Sequence, residues 1–118
     1  MAGDYTIWHN PKCSTSRFVL GALRDAGVAP VVRDYQQDPP SVAELRAAVA
    51  AMGGTPRDLL RRKDAPDDVR ALDGDALLEA LSREPRLIER PLVFSPQGTR
   101  LARPKETVFQ QLPPGSAD

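Results

Sequence analysis

Two short apolar runs, at 5–8 and 31–35, stand on either side of one helical stripe, and this spacing most restricts the fold. Val19, Ala22, Leu23 and Ala26 recur at i, i+3, i+4 and i+7, which places them on one helix face. Gly27 follows where a left-handed residue closes a helix. Strand, helix, strand in that order predicts a parallel β-α-β unit with a right-handed crossover.

The helix signals continue downstream. In "DPPSVAELRAAVAAMGG", Ser41 is the expected N-cap, Glu44 completes a capping box, and Gly53-Gly54 stops the helix. "TPRDLLRRKD" begins like a further short helix, and "APDD" reads as a loop. Another helix is expected over 73–82, carrying Leu77, Leu78 and Leu81. "RPLVFSPQGTRLARP" reads as a hairpin turning at Ser95-Pro96-Gln97-Gly98. A helical turn or two over 104–112 and a frayed tail at 113–118 complete the chain. This order is that of the thioredoxin-like α/β architecture, a mixed four-stranded sheet of one parallel β-α-β and one antiparallel hairpin, flanked by helices. At 118 residues, 1–118 is expected to form a single domain.

Sixteen basic and sixteen acidic residues cancel, so the whole chain is no electrostatic magnet for nucleic acid or an anionic membrane. Thirteen of those cations are arginines, whose planar forks suit oxyanions, so they matter individually. One cysteine excludes an intramolecular disulfide framework and a four-thiolate zinc site, and no metal is expected. "MAGDYTIW" lacks the basic and apolar regions of a secretory leader, and no apolar run approaches a membrane span. The expected location is the cytoplasm, with the thiol reduced.

That thiol, Cys13, falls between a strand end and a helix start, in "IWHNPKCSTSR". Unpaired N–H groups and the positive end of the helix dipole favour an anion there and lower a thiol pKa. An ordinary thiol is only about 3% thiolate at pH 7, so a drop of about two units makes most of it nucleophilic. Ser14, Thr15 and Ser16 add donors around the same point. His9, the one histidine, either assists the thiolate as a nearby cation or caps the strand end by hydrogen bonding. A phosphatase loop is excluded, because Val19 stands where Cys-x5-Arg needs arginine, and a Cys-x-x-Cys pair is excluded by Ser16. Any adduct on Cys13 must therefore be resolved by an outside thiol.

"HNPKCSTSR" resembles the signature of the glutaredoxin-coupled arsenate reductases of thioredoxin-like fold, and the likeness runs from Tyr5 to about Gly115 through "RDLLRRKD" and "LIERPLVFSPQGTRLARP". The resemblance implies that a cysteine thiolate, here Cys13, attacks arsenate held by three arginines. These fall on Arg61, Arg90 and Arg103, with His9 as the thiol-tuning residue and Pro91 as a cis proline near the site. It implies no tightly bound cofactor: glutathione is a co-substrate, and glutaredoxin reduces the Cys13–glutathione disulfide. Several arginines suit this chemistry, since thiolate attack on an anion needs its charge neutralised. Arg61 and Arg62, about 100° apart on a helix, would point differently, one toward the site and the other toward solvent, and the resemblance selects Arg61. Ser14 departs from the family's usual glycine, and the sequence ends without the longer C-terminal segment of some members. Two other functions fit the fold: a glutathione-dependent thiol oxidoreductase with a different substrate, and a polymerase-binding redox regulator. Three retained arginines weigh against the first, and Ser16 in place of a second cysteine weighs against the other.

Overall fold

A computed structural model describes residues 4–113. The tail assigned to 113–118 lies, from 114 onward, outside the described residues. The chain divides into two compact units, 1–34 with 90–118, and 35–89.

Among the described residues the first unit holds four strands: β1 (Thr6–His9), β2 (Val31–Asp34), β3 (Leu92–Ser95) and β4 (Gly98–Leu101), in the spatial order β2-β1-β3-β4. β1 pairs parallel with β2 and antiparallel with β3, and β3 forms the expected hairpin with β4. This is the mixed thioredoxin-like sheet. α1 (Ser14–Asp25) crosses from β1 to β2, and Gly27 adopts φ 85 just beyond it. The buried stripe of α1 is Ser16, Val19, Leu20 and Leu23, with Ala22 half-buried, so the helix is rotated from the expected face. Larger Leu20 takes the core position that the alanines were expected to fill. This stripe packs with Tyr5, Ile7, Val93 and Val108 into one apolar core. The expected last turns form a 3-10 helix, Lys105–Gln111.

The second unit is helical. α2 (Val42–Met52) has the complete Ser41–Glu44 capping box and stops at Gly53 with φ 68. α4 (Gly74–Arg83) buries Leu77, Leu78, Ala80 and Leu81 against neighbours that include α2. Two expectations change here. "APDD" is not a loop but runs into α3 (Asp67–Arg70), a single turn whose leading aspartates face the helix N-terminus. "TPRDLLRRKD" is not a continuous helix: two 3-10 turns, Pro56–Leu59 and Arg62–Asp64, flank the non-helical pair Leu60-Arg61. Leu60 forms an antiparallel bridge with Ile88, and the Arg61 N–H donates to the Leu87 carbonyl at 2.7 Å. That long-range partner takes the donor a helix would have used internally.

Gln111 is fully buried in the first unit, and its Nε2 donates to the carbonyls of Val93 and Gly98, each at 2.9 Å. Its own carbonyl accepts from the Tyr5 hydroxyl at 2.6 Å. The side-chain amide thus ties the terminal helix to β3 and to the start of β4. Gln111→Leu is expected to cost about 1–3 kcal/mol in denaturant unfolding, since it removes the buried amide donor from which the Val93 carbonyl accepts. Gln110→Leu, at an exposed position, should stay within about 0.5 kcal/mol.

Candidate active site

β1 delivers His9 and Asn10 to its C-terminal end, the chain turns through Pro11-Lys12, and Cys13 becomes the N-cap of α1. Cys13 is a free, half-buried thiol with extended backbone (φ −97, ψ 123). Burial pushes its pKa up. The Ser16 N–H, the Arg90 guanidinium as donor and as charge, and the Thr15 N–H together outweigh this and hold it below the ordinary thiol range. The helix N-terminus therefore acts as the sequence predicts, with Arg90 as the cation that completes it.

Strand register explains how Arg90 arrives there. β1 and β3 pair Trp8 with Leu92, and extending that register brings the His9–Asn10 end of β1 beside Arg90-Pro91. The hairpin pairs Leu92 with Leu101, so two residues further out Arg90 lies across from Arg103. Between them the Ala102 N–H donates to the Pro91 carbonyl at 2.9 Å, and Arg103 Nη1 donates to the Arg90 carbonyl at 3.2 Å. Arg90 is half-buried and Arg103 exposed. The Arg90–Pro91 bond is cis, as expected for Pro91, and the Arg103–Pro104 bond is cis as well.

His9 is buried, and its Nδ1 lies 2.6 Å from the Ser16 hydroxyl, the two sharing one proton. Burial lowers the His9 pKa; Asp34, its partner in the parallel ladder, works the other way, and Arg24 and Arg17 add to the lowering. The ring is therefore neutral at pH 7 and supplies no charge to the thiolate. Its link to Cys13 runs through Ser16, whose hydroxyl it holds and whose N–H faces the sulfur. Ser16 was visible in the sequence only as one more hydroxyl; its place three residues before Val19 on the buried stripe is the signal that marks it.

Arg61 belongs to the second unit. Its Nε donates to Asp64 at 2.6 Å and its Nη1 to Glu89 at 3.2 Å, with the side chain 13% exposed. Arg62 is exposed, so the two neighbours do differ, though through a non-helical bend rather than a helix. Charge is also divided: the unit holding Cys13 has eight cations against four anions among the described residues, whereas the second has eight against eleven. The neutral total conceals a cationic setting for the thiol. Among the described residues no cluster of metal-ligating side chains occurs, and no helix is long and apolar enough to cross a membrane.

Iodoacetamide alkylation against pH should give a midpoint for Cys13 below the ordinary thiol range. Arg90→Gln should move it upward, while Arg103→Gln should leave it in place. The single histidine makes a proton NMR titration unambiguous: the His9 midpoint should lie below about 6.5. The unfolded chain then binds a proton that the fold refuses, so His9 lowers stability as pH falls below about 6.5 toward its folded midpoint. A midpoint at or above that value would refute the neutral ring.

The family model described as "ArsC family" matches residues 8–110. An arsenate reductase from Rhizobium meliloti is 46% identical, with 92% of this chain and 81% of that protein covered. One from Escherichia coli K12 is 41% identical, over 93% and 82%. The solved structure titled as an arsenate reductase from Vibrio cholerae superposes with a TM-score of 0.84 at 37% identity, covering 95% of this chain and all of that one. With its cysteine loop and thioredoxin-like sheet in place, the chain belongs to the ArsC family.

Proposed function

We propose that the protein reduces arsenate to arsenite through Cys13, with glutathione and glutaredoxin as external reductants. The observation that carries this reading is the half-buried Cys13 thiol whose ionisation is favoured by the Ser16 and Thr15 N–H groups and by Arg90, with Arg103 bonded alongside. The names of the relatives supply the substrate. Cys13 attacks arsenic, an S–As bond forms, and one oxygen leaves as water. Glutathione adds to arsenic; the two sulfurs then join as the Cys13–glutathione disulfide, and their electron pair stays with arsenic, which departs as arsenite. Glutaredoxin reduces the mixed disulfide, and a second glutathione ends in glutathione disulfide. The single cysteine requires this external resolution.

In this mechanism Arg90 stabilises first the thiolate and then the oxygens that gain charge, and Arg103 and Arg61 are further oxyanion donors. His9 is a positioning group acting through Ser16. NADPH consumption with arsenate, glutathione, glutaredoxin and glutathione reductase should depend on arsenate and vanish in Cys13→Ser. Arg61→Ala should lower kcat/KM by about 10²-fold, and Arg62→Ala should stay within about twofold. Turnover of a glutathione mixed disulfide with no arsenate-dependent rate would replace this reading with a thiol oxidoreductase.

A further inference from the structure

Asn10 is buried, with 8% of its surface exposed, at the exit of β1. It makes three hydrogen bonds to three different residues of the segment that follows. Its N–H donates to the Ser16 hydroxyl at 3.0 Å, its carbonyl accepts from the Cys13 N–H at 3.0 Å, and its side-chain Oδ1 accepts from the Lys12 N–H at 3.0 Å. The first two use the main chain and survive any substitution other than proline. The third depends on the side chain.

The Cys13-to-Asn10 bond closes a four-residue turn with Pro11 at its second position, the place where a proline's fixed φ suits a turn. Pro11 has no N–H, so Lys12 and Cys13 carry the two donors that follow it. Asn10 accepts both, one by side chain and one by backbone. Two bonds from one residue define the path that brings the chain to Cys13, and hence the direction in which Cys13 projects its sulfur.

We infer that Asn10 is a positioning residue: its side-chain carbonyl, by holding the Lys12 N–H, keeps the turn in the one shape that aims Cys13 Sγ at the first-turn donors of α1. This rests on Cys13 being the nucleophile and extends that reading to the residue that orients it. Asn10 touches neither substrate nor sulfur in this role. Losing the bond frees the turn, and the thiolate then exchanges fixed N–H donors for water.

The test is the pH profile of iodoacetamide alkylation in wild type, Asn10→Ala and Asn10→Ser, measured without arsenate. Asn10→Ala should react about three- to tenfold more slowly below the midpoint, with the high-pH plateau unchanged, as the loss of about one hydrogen bond implies. Asn10→Ser, whose hydroxyl can form the same short-range turn more weakly, should recover part of the difference. A Asn10→Ala profile that overlays wild type, even with a lower thermal midpoint, would overturn the inference by reducing Asn10 to a fold residue. Should Asn10→Ala fail to fold, amide exchange in the wild-type protein decides: the Lys12 N–H is expected to be protected, and exchange at the rate of an unstructured chain would refute the proposal. No arsenate turnover enters any arm, so an inactive enzyme would refute the proposed reaction and leave this result standing.

Discussion

A half-buried sulfur anion is stable only where donors already point at it, and the Cys13 unit is arranged around that requirement. The N–H groups come from the first turn of α1 and the positive charge from Arg90, two residues before β3. Neither is useful unless helix and strand are fixed relative to each other. Ile7, Val19, Leu23, Val93 and Val108 have no exposed surface, and each contributes about 1.5–3 kcal/mol by burial. Their shared core sets the helix N-terminus against the end of the sheet, so the donors need no rearrangement when charge appears.

The same economy of parts governs the arginines. An antiparallel hairpin fixes what lies across from what, so one register places Arg90 and Arg103 side by side and joins them through a carbonyl. Arginine rather than lysine suits such a place, because a guanidinium can bind its neighbour's backbone and still present donors elsewhere. Lysine would present its three donors from one flexible point, without that fixed fork.

Features set by nearby residues were legible in the sequence. The β-α-β order follows from apolar spacing, α2 from Ser41, Glu44 and Gly53, and the hairpin from Ser95-Pro96-Gln97-Gly98, each a signal contained within a few positions. Features set by distant partners were not. Leu60-Arg61 leaves the helical path because the Leu87 carbonyl, 26 residues on from Arg61, takes its N–H. His9 reads as a possible cation until burial makes it neutral. Ser16 looks like decoration until α1 turns it inward. The opposition of Arg90 and Arg103 lay between these cases, since a two-residue hairpin loop already implies it once the strands are extended outward.

Asp64 and Glu89 give Arg61 a particular character. Two carboxylates occupy its Nε and one Nη1 proton, so only the other donors of the fork can serve the oxyanion of the proposed reaction. Such a guanidinium is more than offset in charge before a ligand arrives. In the proposed reaction, what it offers is less an attraction felt at a distance than a rigid direction felt at contact, one that would sort tetrahedral anions by shape rather than by how negative they are.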